Sequence, residues 1–207
     1  MTTLTKHAEI DGLRIAYDAK VLEPRPWTAM QGGWAAELAE EVPPGPILEL
    51  CSGVGHIGLV AARRSGRPLV QVDSSAHACA LARANAASAW LSDRVEVRCG
   101  DLAEMVEGFE RFPLIIADQP YITTSNVARF PSDPRVAIDG GHDGLDLARS
   151  CLEVIRSVLV PGGRALLQLG DEGQVAAIAQ AASPDLELLG HRSAGSTRHV
   201  AVLGWAD

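Results

Sequence analysis

Lysine occurs only at Lys6 and Lys20, and the formal net charge of the 207-residue chain is -8. Arginine carries the remaining positive charge without forming a run, the densest group being Arg63, Arg64 and Arg67. Capture of a phosphate backbone needs a concentrated basic face, so strong nucleic-acid binding is not expected. Cys51, Cys79, Cys99 and Cys151 have no CxxC spacing and sit mostly in apolar stretches, which argues against disulfides. His7, His56, His77, His142, His191 and His199 form no HxH or HxxxH pair, so no metal site is expected. No apolar run is long enough to span a bilayer, and the polar stretch from Met1 to Lys6 lacks the apolar core of a signal peptide. A cytoplasmic protein with no membrane association is the expectation.

What is present is alternation. A chain of this length suits one mixed helix and strand domain. Residues 10–21 alternate around Asp11 and Gly12 and read as a hairpin, followed by a turn at Glu23, Pro24, Arg25 and Pro26 and a helix over 27–41. Pro43, Pro44, Gly45 and Pro46 then punctuate the chain, dividing a lead-in, 1–42, from a main unit, 43–207.

In the main unit, strands are expected over 47–50, 69–72, 95–98, 114–117 and 165–169. Helices are expected over 57–64, 76–90, 102–106, 145–159 and 172–181. Near-continuous apolar strands alternating with helices specify an α/β fold, a doubly wound and mostly parallel seven-stranded sheet. Its last two strands, 186–189 and 199–203, joined by a polar turn at 193–197, form an antiparallel edge hairpin. The connection 123–141 has no periodicity and is rich in Pro, Asp and Gly, and its place after Tyr121 suits a lid or substrate loop.

Two features carry chemistry. Gly53, Val54, Gly55, His56, Ile57 and Gly58 match GxGxxG between a strand and a helix, with Asp73 ending the next strand. Alone, that pattern fits a dinucleotide and hence an NAD-linked oxidoreductase. However, Glu49, Asp73, Asp101 and Asp118 fall at or just past four successive strand ends, which converge on one crevice in a parallel sheet. Carboxylates there oppose a pyrophosphate and favour a cofactor bearing an ammonium and a sulfonium, as S-adenosylmethionine (SAM) does. Asp73 suits the ribose hydroxyls under either reading. Asp101 suits the adenine amine and also suits capping the helix that begins at Leu102.

The second feature is Asp118, Gln119, Pro120 and Tyr121, directly behind the apolar run 112–117. An acid, a rigid turn and an aromatic ring at a strand end can hold a planar nitrogen group. The Asp118 side chain and the Gln119 carbonyl would accept its two N–H groups, Tyr121 would stack on it and Pro120 would fix the turn. Ionised Asp118 is acceptor-only, so it also suits an amine or nucleobase amino group.

These residues resemble the class I SAM-dependent methyltransferases, and within them the HemK/PrmC-like protein glutamine N-methyltransferases. Residues 21–28 are similar to the VLxPRPET segment of that family, and residues 49–58 to its cofactor loop with Cys51 in place of Gly. Residues 118–121 stand where the family has NPPY, and Pro134, Arg135 and the stretch 139–146 resemble its PRxAL…GGxDGLD. The resemblance covers nearly the whole chain but not the family's extra N-terminal helical domain. It implies a Rossmann-like class I methyltransferase fold. SAM would be held by Thr28, Glu49, Cys51, Ser52, Gly53, Gly55, Asp73, Ser74, Asp101, Leu102 and Asp118, and released as S-adenosylhomocysteine. It also implies catalysis by residues 118–121 on a protein substrate, conceivably a translation factor. A small-molecule substrate and a non-catalytic SAM-binding role stay open, because DQPY departs from NPPY.

Overall fold

A computed structural model describes residues 4–195 and 197–206. Residues 1–3 of the polar N-terminal stretch, and Ser196 within the expected 193–197 turn, lie outside the described residues. The lead-in opens with an antiparallel hairpin, β1 (Lys6–Ile10) and β2 (Leu13–Tyr17). Asp11 and Gly12, both at positive φ, make its two-residue turn. The hairpin thus begins four residues before the expected 10–21 segment and ends four before it. β1 is largely solvent-exposed, so Lys6, His7 and Glu9 give no apolar signal to read.

The expected helix over 27–41 is shorter. Pro26 starts a 3₁₀ turn, Pro26–Thr28, and the α-helix α1 runs Ala29–Leu38. β3 (Ile47–Leu50) follows, then α2 (His56–Ser65), β4 (Leu69–Asp73), α3 (Ala76–Ser88) and β5 (Val95–Cys99). α4 is the short Leu102–Met105, and β6 is Phe112–Ala117. The chain ends with α5 (Asp146–Val158), β7 (Leu159–Leu169), α6 (Glu172–Ala182), β8 (Leu186–Ser193) and β9 (His199–Trp205).

β3 and β6 are buried at every position, which demands cover on both faces of the sheet. The order is β5-β4-β3-β6-β7-β9-β8, parallel from β5 to β7, with β9 antiparallel to β7 and β8. The mostly parallel seven-stranded sheet with its antiparallel edge is therefore the one expected. One apolar core lies between the sheet and α1, α2 and α3, and a second between the sheet and α4, α5 and α6. Ile10, Leu13, Ile15 and Tyr17 of the hairpin belong to the first, so the lead-in packs on the same core as the sheet.

β7 departs most from expectation. It starts at Leu159 instead of 165 and carries Pro161, Gly162 and Gly163 through a register shift opposite Phe112 and Leu114. The shift lets Leu159 pair with Phe112 although proline and glycine interrupt the ladder. The connection 123–141 is likewise more ordered than its lack of periodicity implies. Its ends are pinned by a bridge between Ile122 and Asp139, and it contains 3₁₀ turns at Thr124–Arg129 and Arg135–Ala137. The Asp139 carboxylate accepts from Thr124 Oγ1, Arg135 Nε and the Gly141 amide, closing the excursion on itself.

Candidate active site

The order of the sheet reverses between β3 and β6, where a crevice forms beyond the strand ends. A cavity of about 220 Å³ occupies it. Thr28 of the 3₁₀ turn lines this cavity together with Cys51, Ser52, Gly53, Asp73, Ser74, Asp101, Leu102, Asp118 and Pro120, which lie at or past the strand ends. Glu49, Gly55, Gln119 and Tyr121 do not line it.

Asp73 ends β4 and ties the glycine loop to the next helix. One carboxylate oxygen accepts from the Gly53 amide at 2.7 Å and the other from the Ser75 amide at 2.8 Å. Asp101 caps α4 through the Ala103 amide at 2.9 Å while still facing the cavity, so both functions assigned to it are geometrically compatible. Cys51 holds a left-handed backbone, φ 56, that suits the Gly its position resembles. Burial and the neighbouring Cys151 raise its thiol well above the usual range, which keeps it neutral.

Glu49 turns behind the loop. Its carboxylate accepts from the Gly58 amide at 2.9 Å and from Gln71 Nε2 at 2.6 Å, bracing the first turn of α2 against β4. A Cβ at position 58 would fall 2.3 Å from the Glu49 carboxylate, so the last glycine of GxGxxG serves this approach. Burial pushes the Glu49 carboxyl up to about 8, against the two hydrogen bonds and helped by the charges of Asp118 and Asp73. The unfolded chain ionises this group near 4.5, whereas the folded chain resists doing so until about 8. The folded state therefore binds more protons in that interval, and the contribution of Glu49 to stability falls as pH rises through it. Thermal melting from pH 5 to 8 is expected to show a declining midpoint, and Glu49→Gln to flatten the decline. An equal slope in the variant would show that Glu49 is not its source.

Asp118 sits on the cavity wall, and among the described residues no protein group donates a hydrogen bond to it. Burial raises its carboxyl to about 7. The Gln119 side chain turns away from the site. It is 1% exposed, with Nε2 donating to the Gln168 carbonyl on β7 at 2.7 Å. That bond anchors the turn where the related motif has a second Pro.

Gln174 of α6 completes the buttress. Its Nε2 donates to the carbonyls of Tyr121 and Asp143, at 2.9 and 3.0 Å, and its Oε1 accepts from the Gly170 amide. Gly144, φ 79, lies so close that a Cβ there would be 2.3 Å from the Tyr121 carbonyl. The GGHDGLD stretch thus supports the 118–121 turn. Burial and then the Asp118 charge push the Tyr121 phenol up to about 12, so it stays neutral at physiological pH.

Sequence reasoning missed His56, Lys20 and Gln31. Gln31 donates from α1 to the carbonyls of Ala117 and Leu166, tying the helix to the ends of β6 and β7. His56 lines the cavity beside Thr28, and its Nε2 lies 2.7 Å from Thr28 Oγ1. That hydroxyl donates to the Arg25 carbonyl, so it accepts from His56, which places the ring proton on Nε2. Burial lowers the His56 imidazole to about 4, leaving it neutral. Its place inside the glycine motif was the available signal.

A family profile described as "Methyltransferase small domain" matches residues 35–130. The ribosomal protein uL3 glutamine methyltransferase of Burkholderia pseudomallei is 31% identical over 182 residues, covering 82% of this chain and 59% of that protein. Over most of its length the chain is similar to these methyltransferases. The release factor glutamine methyltransferase of Deinococcus radiodurans is 34% identical, over 80% of this chain and 60% of that protein. The chain spans about three fifths of the length of these curated relatives. TrmN from Thermus thermophilus shares the fold, with a TM-score of 0.64 at 22% identity over 86% of this chain and 49% of that one. This similarity to methyltransferases favours SAM over a dinucleotide as the cofactor of the glycine loop. Among the described residues no helix is long and apolar enough to cross a membrane, and no cluster of three metal-ligating side chains occurs.

Proposed function

We propose that this chain is a SAM-dependent methyltransferase that modifies an amide nitrogen, the glutamine side chain of a protein substrate. The observation that carries this reading is Asp118, a half-buried carboxylate on the cavity wall to which no group among the described residues donates a hydrogen bond. It opens a turn anchored by Gln119 and Gln174. The curated relatives, named as glutamine methyltransferases of a ribosomal protein and a release factor, support the choice of substrate.

The cavity fits such a cofactor by its donor set. Val72, Ala78 and Leu102 offer apolar walls beside Asp101 for a heterocycle, and Asp73 offers acceptors for ribose hydroxyls. Ser52 Oγ is buried and has no partner among the described residues, and Thr28, His56 and Asp118 line the same cavity. When bound, SAM supplies an electrophilic methyl group on a sulfonium.

The residues of the chain orient the acceptor. An amide nitrogen has a delocalised lone pair, so the useful contribution is to hold its two N–H groups while the lone pair points at the methyl carbon. Asp118 accepts one N–H and the Gln119 main-chain carbonyl the other, with the Gln119 side chain held out of the way. Tyr121 flanks the planar group. Nitrogen loses one proton on methylation, and Asp118, raised to about 7, is matched to receive it.

A second reading is favoured by Asp118 itself, since an ionised acid suits an amino group of a nucleobase or metabolite. Labelled SAM incubated with cell extract separates the two. Label in a protein fraction is expected, whereas label confined to metabolites or oligonucleotides would favour the second. Calorimetry should show SAM binding, and tight NADH binding without SAM binding would overturn both readings. A cytoplasmic location belongs to the same proposal.

A further inference from the structure

The C-terminal hairpin brings an arginine to the rim of the site. Arg198, next to the start of β9, lays its guanidinium over the Trp27 ring with Cζ 3.8 Å from the centroid. Arg25, from the lead-in, approaches the same ring at 5.8 Å and also lines the cavity. Their partners differ. Arg25 pairs with Asp133 of the 123–141 connection at 2.6 Å, whereas Arg198 has no acidic partner within 4.0 Å among the described residues.

Arg25 lines the same cavity as Asp118 and Pro120, and Trp27 holds Arg198 beside it, so both guanidiniums stand next to the turn that would hold the acceptor. A guanidinium stacked on an indole has its flat face satisfied. Its N–H groups lie in the plane, and two of them can grip a carboxylate side by side.

We propose that Arg198 stacked on Trp27, seconded by Arg25, forms a carboxylate-binding subsite beside residues 118–121 and selects acceptors with an acidic group near the reacting nitrogen. This rests on the amide-methylation reading and adds the chemistry of the flanking group. Charge selects a carboxylate over a phosphate chain. Glu23, Asp118 and Asp133 surround the same mouth in a chain of net charge -8, which repels a polyanion but leaves one unmatched guanidinium for one carboxylate. The carboxylate can come from an Asp or Glu side chain of a protein, or from the free α-carboxylate of a small acceptor.

The test uses the full chain saturated with S-adenosylhomocysteine and fluorescent glutamine peptides read by anisotropy. The peptides carry Glu, Ala or Lys beside the glutamine with an amidated end, and a fourth ends in glutamine with a free carboxylate. The Glu peptide is expected to bind roughly tenfold tighter than the Ala peptide, with Lys weakest. Arg198→Glu should reverse the Glu over Lys order, and Arg198→Gln should abolish it. Melting and cofactor affinity should stay as in the wild type. Preference for the fourth peptide over the Glu peptide would identify the α-carboxylate as the source.

Equal binding of all peptides, no binding at all, or an order unchanged by Arg198→Glu would overturn the subsite. So would a short single-stranded RNA that displaces the Glu peptide at lower concentration than any carboxylate. Methyl transfer to the same peptides is scored separately. Charge-selective binding without transfer counts against amide methylation and leaves the subsite standing, and transfer blind to charge does the reverse.

Discussion

Asp118→Ala is expected to lower methyl transfer by roughly a hundredfold to a thousandfold, the scale for removing one aligned hydrogen-bonding group from a transition state. Cofactor affinity should change little by comparison. Among the described residues no group hydrogen-bonds to the Asp118 side chain, so its loss leaves the turn held by Gln119 and Gln174. Its titration sharpens the test. Burial raises the carboxyl to about 7, so the group is a neutral donor and acceptor below that pH and a charged acceptor above it. Activity that uses the charged form rises with pH and levels off above about 7. Asp118→Asn fixes the neutral shape, so the variant should lose this rise and run nearly flat across the same interval. A wild-type profile without an inflection near 7, or one retained in Asp118→Asn, would place the titrating group elsewhere.

Asp73→Ala is expected to weaken SAM binding by about a hundredfold, the loss of two hydrogen bonds to a charged group. The structure gives Asp73 a second duty. It also holds the Gly53 and Ser75 amides, so the alanine variant loosens the glycine loop and the first turn of α3 together. Asp73→Asn separates the two contributions, because it keeps an acceptor for one amide while removing the charge. Calorimetry should place Asp73→Asn between wild type and Asp73→Ala. Wild-type affinity in both variants would remove Asp73 from the cofactor site.

The central sheet was legible because its parallel strands are buried on both faces and read as continuous apolar runs, as β6 does from Phe112 to Ala117. Asp73 and Asp118 were legible for the same reason, since one closes and the other follows such a run. What pattern alone cannot show is which way a strand-end side chain turns. Glu49 faces the amide of Gly58 instead of the cavity, and Gln119 reaches back to Gln168, although neighbouring residues on either side face the cavity. β1 escaped notice because an exposed strand has no apolar alternation, and the start of β7 because Pro161, Gly162 and Gly163 read as an interruption. Arg198 could not be placed from sequence, because only the antiparallel return of β9 carries it to Trp27, 171 positions earlier in the chain by the difference of their numbers.

The most direct measurement is mass spectrometry of a protein methylated by the wild-type chain with isotope-labelled SAM, fragmented to locate the methyl group. A label on a glutamine side-chain nitrogen, absent when Asp118→Ala replaces the wild type, is the result predicted here. A label on a different atom, or equal labelling by Asp118→Ala, would contradict amide methylation at the 118–121 turn.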